Sequence, residues 1–122
     1  MKILVADDEK EFVDFLVERL SGQGHDVTSA PDGAQALELM KVNNYELIFV
    51  DHNMPELTGL ELAKYAKANG IKAKIIMVKG YEHMSGSFAK ILGVDEYLTK
   101  PVMIRDVDAV VKKYSTTGNE NG

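Results

Sequence analysis

The chain is 122 residues long and 45% hydrophobic, which is enough for one globular domain with its own core but not for two. It has no Cys, which argues against a disulfide scaffold and thiolate metal sites, and no apolar run that could span a bilayer. Its formal net charge of −5 disfavours a dedicated nucleic-acid surface. Because no signal peptide is evident, we expect a cytoplasmic protein that binds proteins or small ligands, not membranes or nucleic acid.

The first predicted strand, Lys2 to Ala6, runs directly into three carboxylates. Asp7, Asp8 and Glu9 repel one another unless a positive group joins them. A simpler interpretation is that these acids favour a helix N-terminus through its dipole. Apolar residues at helical spacing, followed by two glycines, predict a first helix and its end: Phe12, Phe15, Leu16 and Leu20, then Gly22 and Gly24.

A second strand and helix follow. His25 to Ala30 is typical of a partly exposed strand, and Asp32 is placed to cap the next helix. Gln35, three residues later, approximates a capping box. The buried stripe of this helix is predicted to contain Ala36, Leu37 and Met40.

The segment from Leu47 to Val50 is an unbroken apolar run that ends at Asp51, and Pro55 soon prevents a continuing strand. Such runs are typical of strands buried on both faces of a parallel sheet. In open α/β sheets, ligands bind at the carboxyl ends of the strands. Asp51 is therefore a candidate for chemistry on position alone.

Two further units follow Asp51. Thr58 and Glu61 form a second capping box, which predicts a third helix that stops at Gly70. Lys74 to Val78 is predicted to be the fourth strand.

The remaining chain gives a weaker helical signal between residues 79 and 93, where we expect a mobile loop and a short fourth helix. Residues 95–99 predict a fifth strand. The last helix begins at Met103-Ile104 without an evident N-cap side chain. We therefore divide the chain into a domain of residues 1–114 and a flexible tail or linker stub of residues 115–122.

Five alternating strand–helix pairs predict a doubly wound, five-stranded parallel α/β sheet with helices on both faces. The strand ends then bring three acids and two bases to one edge: Asp7, Asp8, Asp51, Lys79 and Lys100. Carboxylates without Cys or His ligands suit Mg²⁺, which also binds phosphate oxygens. With a Lys to neutralise the phosphoryl charge, Asp51 could act as a nucleophile toward phosphorus and form an acyl phosphate.

Three separated motifs make the whole folded chain resemble a response-regulator receiver domain, the chemotaxis-regulator-like phosphoacceptor module of two-component signalling. They are Asp7-Asp8 after the first strand, Asp51-His-Asn-Met-Pro55 after the third, and Tyr97-Leu-Thr-Lys100-Pro101 at the fifth. The resemblance implies a flavodoxin-like fold with strand order 2-1-3-4-5 and five helices. It also implies a signalling domain that is not an enzyme, although it assists its own phosphorylation and dephosphorylation.

The resemblance assigns roles to individual residues. It implies that Asp51 accepts the phosphoryl group, and that Asp7 and Asp8 join Asp51 in binding Mg²⁺ directly or through water. Asn53 would contribute its backbone carbonyl to the same ion.

The phosphate and the conformational switch involve a second set of residues. By resemblance, Lys100 binds a phosphoryl oxygen, Gly80 leaves room for the phosphate, and Pro101 follows a cis peptide bond. Tyr97 corresponds to the switch aromatic, whose rotamer changes between exposed and buried on phosphorylation.

Lys79 departs from the family pattern, which has Thr or Ser at this position. A Lys offers three donors and a charge on a long stem and cannot occupy the volume of a hydroxyl side chain. Two positions for its ammonium compete: paired with Asp51, where it would displace Mg²⁺, or directed along the loop to solvent. In both cases the hydroxyl that usually links the phosphate to Tyr97 is missing.

Two alternative functions therefore stay open. One is a pseudo-receiver, a protein-interaction module in which Lys79 weakens or bypasses phosphorylation. The other is a phosphohydrolase, but enzymes similar to haloacid dehalogenases carry a second Asp two residues after the nucleophile, where this chain has Asn53. His52 is interpreted as a neighbour of the site rather than an acid–base group.

The resemblance implies a sensor histidine kinase or phosphotransfer protein as the phosphodonor, and a downstream protein or an attached output domain as the target. Tyr97, Met84, Met103 and Ile104 indicate an apolar patch on the face of the fourth helix, fifth strand and fifth helix. A homodimer through that face is an expectation, and ordinary scattered apolar exposure is the alternative.

Overall fold

The computed structural model describes residues 1–52, 54, 57–80 and 93–119, with side chains through Ser115. The elements in chain order are β1 (Lys2–Ala6), α1 (Lys10–Gly22), β2 (Asp26–Ala30), α2 (Gly33–Val42), β3 (Leu47–Asp51), α3 (Gly59–Ala68), β4 (Lys74–Lys79), β5 (Glu96–Thr99) and α4 (Ile104–Asn119). The short helix expected before Gly93 lies outside the described residues. Helix α4 is therefore the fifth helix of the sequence prediction.

The five strands form one parallel sheet in the order β2-β1-β3-β4-β5, which confirms the predicted topology. Strand β3 lies at the centre, between β1 and β4. All five of its residues are buried, as its unbroken apolar run predicts. Asp51, the last residue of β3, is thus delivered to the carboxyl edge by a rigid element.

Successive side chains of a strand point to opposite faces of the sheet, so apolar strands present an apolar surface on each face. Helices cover both of these surfaces. Helices α2 and α3 pack on one face, where the core contains Leu4, Ala36, Met40, Ile48, Val50, Leu62, Ala63, Ala66, Ile75 and Met77. Helices α1 and α4 pack on the other, where it contains Ile3, Val5, Leu16, Leu20, Leu47, Phe49, Ile76, Val78, Val107, Val110 and Val111.

The two predicted helix caps both form. The Asp32 side chain accepts a hydrogen bond from the Gln35 backbone N–H at 2.8 Å and caps α2. Thr58 and Glu61 make a complete capping box at the start of α3, because each side chain accepts from the backbone N–H of the other. These caps fix where the helices that flank the carboxyl edge begin.

Helix α4 begins at Ile104, as the sequence predicts, but ends later than predicted. Its start is supported from inside the helix, because Oδ2 of Asp106 accepts a hydrogen bond from the Met103 N–H at 3.2 Å. The helix continues through Asn119. The segment from Ser115 to Asn119 is therefore helical and not an irregular tail. The domain boundary after residue 114 stays a prediction. Across the described part of the chain, every helix is too short or too polar to cross a lipid bilayer.

Candidate functional site

Three carboxylates meet at the carboxyl edge of the sheet. Ala6 at the end of β1 lies in register with Val50 on β3, so the residue after each continues side by side at the edge. One oxygen each from Asp7, Asp8 and Asp51 lies within 4.8 Å of the other two. The structure therefore brings together the three acids that the sequence placed at two strand ends.

Asp7 is the most deeply placed of these acids, with 2% of its surface exposed. Its Oδ1 accepts a hydrogen bond from the Glu9 N–H at 2.8 Å. Its buried Oδ2 makes no hydrogen bond with the described residues, although the Lys100 ammonium lies 3.5 Å away. Burial raises the pKa of Asp7, opposed by the Glu9 hydrogen bond and by the charge of Lys100. An acid with a buried oxygen that makes no hydrogen bond with these residues fits a cation.

Lys100 supplies the positive charge of this site. Its Nζ lies 3.5 Å from Oδ2 of Asp7 and 3.9 Å from Oδ1 of Asp51, and it makes a close ion pair with Glu9. Its backbone N–H donates to the Lys79 carbonyl at 2.8 Å. Burial lowers the pKa of Lys100, but the hydrogen bond to Glu9 and the charges of Asp7 and Asp51 outweigh it and raise the pKa. The side chain therefore carries a full positive charge at neutral pH.

Lys79 does not take the solvent-directed position, one of the two expected from the sequence. It is buried at the end of β4, with 9% of its surface exposed, so the expectation that it extends into solvent is wrong. Its Nζ lies 4.5 Å from the centre of the Tyr97 ring, which is the geometry of a cation–π contact. The ammonium of Lys100 lies within ion-pair distance of Asp51.

The strand register explains the contact between Lys79 and Tyr97. Lys79 lies opposite Thr99, and Met77 lies opposite Tyr97, so Lys79 and Tyr97 are diagonal neighbours on one face of the sheet. Diagonal neighbours are within reach of one another when one is aromatic and the other long.

The other predicted site residues are placed as follows. Gly80 directly follows β4 and is half-buried, and the Lys100–Pro101 peptide bond is cis, as the resemblance implies. Asn53 and Met84 lie outside the described residues. His52 donates its backbone N–H to the Val78 carbonyl at 2.8 Å, which ties the chain after Asp51 to β4.

Sequence reasoning missed two residues at this edge. Glu9 was grouped with the acids of the first turn, but its specific contact is with Lys100. Gly59, the first residue of α3, packs so tightly that a Cβ there would lie 2.6 Å from the backbone oxygen of Asp51. The position of Gly59 directly after the Thr58 cap was the available signal, but the close approach depends on how α3 crosses β3.

Comparison with known proteins gives a consistent result. Residues 3–112 match the family model of the response regulator receiver domain. The chain is 36% identical over 115 residues to the alkaline phosphatase synthesis transcriptional regulatory protein PhoP of Bacillus subtilis (strain 168), covering 91% of this chain and 47% of PhoP. It is 32% identical over 108 residues to the response regulator MprA of Mycobacterium sp. (strain KMS), covering 88% of this chain and 47% of MprA. The chain thus spans about half the length of these relatives.

Solved structures show the same likeness. The receiver domain of the Francisella response regulator 1452 superposes with a TM-score of 0.87 at 35% identity, covering 95% of this chain and 98% of that one. The response regulator TrrA of Thermotoga maritima, solved in complex with Mg²⁺-BeF, superposes with a TM-score of 0.83 at 33% identity, covering 93% and 97%.

Proposed function

The chain belongs to the response regulator receiver domain family, and on that premise we propose that it is the phosphoacceptor of a two-component system, phosphorylated on Asp51 with Mg²⁺. One observation carries the proposal. The oxygens of Asp7, Asp8 and Asp51 converge within 4.8 Å, and the Lys100 ammonium lies 3.9 Å from Asp51. A nucleophilic carboxylate, a cation site and a fixed positive charge are the groups that phosphoryl transfer requires.

Asp7, Asp8 and Asp51 would hold the Mg²⁺, together with the backbone carbonyl of Asn53 that the resemblance implies. The fit rests on the donor set, which consists of carboxylate oxygens, and on the buried Oδ2 of Asp7 that makes no hydrogen bond with the described residues. When bound, the ion neutralises charge between the carboxylates and the phosphoryl oxygens. The complex of TrrA with Mg²⁺-BeF supports the same ion here.

In the transfer, a carboxylate oxygen of Asp51 forms a bond to the phosphorus of the donor as the bond to the leaving nitrogen or oxygen breaks. A leaving nitrogen takes up a proton, a leaving carboxylate departs as the anion, and Asp51 becomes an acyl phosphate. Lys100 stabilises the phosphoryl oxygens, and Gly80 leaves space beside them at the end of β4. The domain thus assists its own phosphorylation and the later hydrolysis of its acyl phosphate, without acting on a separate substrate.

We propose a sensor histidine kinase or phosphotransfer protein as the donor, and a downstream protein or an output domain of a longer chain as the target. PhoP is a transcriptional regulatory protein, but this chain covers only 47% of it, and we propose no direct nucleic-acid contact for this domain. The exposed Met103 and Ile104 at the start of α4 lie on the proposed dimer face. Part of that face is outside the described residues.

The test is incubation of the purified chain with Mg²⁺ and acetyl phosphate, followed by intact-mass spectrometry. We expect the mass gain of one phosphoryl group, its loss when Mg²⁺ is chelated, and its absence in Asp51→Asn. Asp26→Asn is the matched control, because it makes the same chemical change at an exposed position at the start of β2. A folded wild-type chain that gains no mass would contradict the proposal and favour the pseudo-receiver. Turnover of a phosphate ester would instead support a phosphohydrolase.

A further inference from the structure

A cluster of lysines lies at the amino edge of the sheet, opposite the edge that carries the acids. Residues 62–78 contain four Lys and no acidic residue, although the whole chain has a net charge of −5. All four are exposed: Lys64, Lys67, Lys72 and Lys74. Among the residues that the structure describes, Lys64, Lys72 and Lys74 form no ion pair. We infer that this surface is a docking groove for an acidic peptide segment of a partner protein.

Three of these lysines line one cleft. It has a volume of about 430 Å³ and lies between the end of α3 and the amino ends of β4 and β5. Its floor is apolar and shallow, because Ala66 and Ala73 are buried there and have short side chains. Lys67, Lys72 and Lys74 therefore line a surface that also offers apolar contact.

A second cleft adjoins the first and extends it toward α2. It has a volume of about 580 Å³ and shares Ile71, Lys72 and Ala73 with the first cleft. Tyr45 and Tyr65 add aromatic surface to it. We call the two clefts together the amino-edge groove. An extended peptide in this groove can place carboxylates beside the lysines and an aromatic or aliphatic side chain beside the tyrosine rings.

The charges that line the amino-edge groove are mostly positive. Lys41 lines the second cleft and pairs with Glu38 at 3.2 Å, so an acidic ligand would depend on the other lysines. Asp95 lines the first cleft, and its Oδ2 accepts a hydrogen bond from the Ile75 N–H at 2.8 Å. This oxygen thus joins the segment before β5 to β4. The lining as a whole has four lysines and one acid, and its field attracts anions.

The chemistry of the groove favours an acidic peptide over a nucleic acid. Nucleic-acid affinity depends on neutralising many phosphates along a continuous track, and a chain of net charge −5 repels a long polyanion outside the groove. The cationic surface here is short, and apolar and tyrosine side chains interrupt it. A few carboxylates on either side of one apolar residue match both features. Because exposed lysines bind carboxylates as point charges, we expect a weak contact that salt disrupts.

The amino-edge groove is separate from the proposed phosphorylation site. Lys74 lies in register with Leu47, the first residue of β3, whereas Asp51 is the last. Four strand steps place roughly 13 Å between these two ends of β3. Peptide binding at the groove therefore does not depend on whether Asp51 accepts a phosphoryl group.

The test is fluorescence anisotropy with a labelled peptide that has Asp and Glu residues on both sides of one Phe. It is carried out at low salt, without Mg²⁺ or a phosphodonor. We expect saturable binding that weakens as salt is added. The double variant of Lys72→Gln with Lys74→Gln should bind about tenfold more weakly, because two exposed ion pairs are lost. Both positions are exposed, and circular dichroism should show an unchanged fold.

The double variant of Lys10→Gln with Lys112→Gln is the matched control, because it removes the same charge from exposed positions on α1 and α4. It should bind the peptide nearly as the wild type does. Equal weakening in the two double variants would overturn the groove, and so would equal binding of a peptide with Gln in place of every acid, or no binding at all. A single-stranded DNA oligonucleotide that binds more tightly than the peptide, through the same two lysines, would overturn the assignment to a peptide.

Discussion

The ammonium of Lys100 lies 3.9 Å from Oδ1 of Asp51, although β4 separates β3, which ends at Asp51, from β5, which Lys100 follows. Lys100 reaches across because its backbone N–H is anchored to the Lys79 carbonyl at the end of β4. Its ammonium also contacts Glu9 and Asp7. The site therefore contains a cation of its own that partly neutralises the acids before any metal binds.

The substitution Lys100→Met tests this charge balance. We expect phosphorylation by acetyl phosphate to slow by about 10²-fold, because a preorganised donor to the phosphoryl oxygens is lost. We expect Mg²⁺ to bind more tightly, because the carboxylates lose a competing positive charge. Time-resolved mass spectrometry measures the rate, and calorimetric titration measures the Mg²⁺ affinity. Lys41→Met, at a half-exposed pair with Glu38 on α2, should change neither. Unchanged phosphorylation in Lys100→Met would contradict the assigned role.

The substitution Asp7→Asn tests how much the burial of this acid lowers the free energy of unfolding. Burial raises the folded-state pKa of Asp7 above 3.8. A raised pKa stabilises the folded state fully below 3.8, and this contribution is lost as the pH rises through the folded pKa. Without Mg²⁺ at pH 7, Asp7→Asn should therefore unfold at higher urea concentration than the wild type, and the difference should shrink on acidification.

Magnesium should reverse the order of these two proteins. At a Mg²⁺ concentration about 100-fold above its dissociation constant, the wild type should gain about 2.7 kcal/mol in free energy of unfolding. Asp7→Asn should gain much less, because one ligand is missing. Asp26→Asn should follow the wild type in both series. Equal stabilisation of wild type and Asp7→Asn by Mg²⁺ would exclude Asp7 as a ligand.

Most of the fold could be predicted from local patterns. Apolar runs identified the strands, and Thr58 with Glu61 marked the start of α3, because these signals depend on backbone hydrogen bonding and burial within a few residues. Alternation of strands and helices then brought Asp7 and Asp51 to one edge. The resemblance supplied the strand order that places β4 between β3 and β5.

The remaining features depend on packing between distant segments. The contact of Lys79 with Tyr97 follows from cross-strand register and from a choice of rotamer, neither of which the sequence around Lys79 specifies. The support of α4 by Asp106 comes from a side chain inside the helix, which an N-cap pattern before the helix does not indicate. The Glu9 contact with Lys100 links the segments that follow β1 and β5, two strands that β3 and β4 separate in the sheet.

The substitution Asp108→Asn tests the link between α1 and α4. Arg19 donates to both carboxylate oxygens of Asp108, at 2.6 and 3.2 Å, and this hydrogen-bonded pair lowers the pKa of Asp108 from 3.8. A lowered pKa gives a stabilising contribution that is present above 3.8 and is lost as the pH falls through the folded pKa. We expect a small drop in the urea midpoint at pH 7 that disappears in acid. The double variant with Arg19→Gln should add little to either single change, and full additivity would show that the pair is uncoupled.

The substitution Gly59→Ala tests the close packing of α3 against the phosphoacceptor strand. A Cβ at this position would lie 2.6 Å from the Asp51 carbonyl oxygen and 3.2 Å from the His52 Cα, so the backbone at the end of β3 must shift. We expect a loss of about 1–3 kcal/mol in free energy of unfolding. Phosphorylation per folded molecule should also slow, because the displaced backbone carries the Asp51 nucleophile out of line. Gly22→Ala at the end of α1 is the matched control, since nothing lies within 4 Å of its added Cβ. If both variants unfold at the same urea concentration and phosphorylate at the same rate, the packing of α3 does not position Asp51.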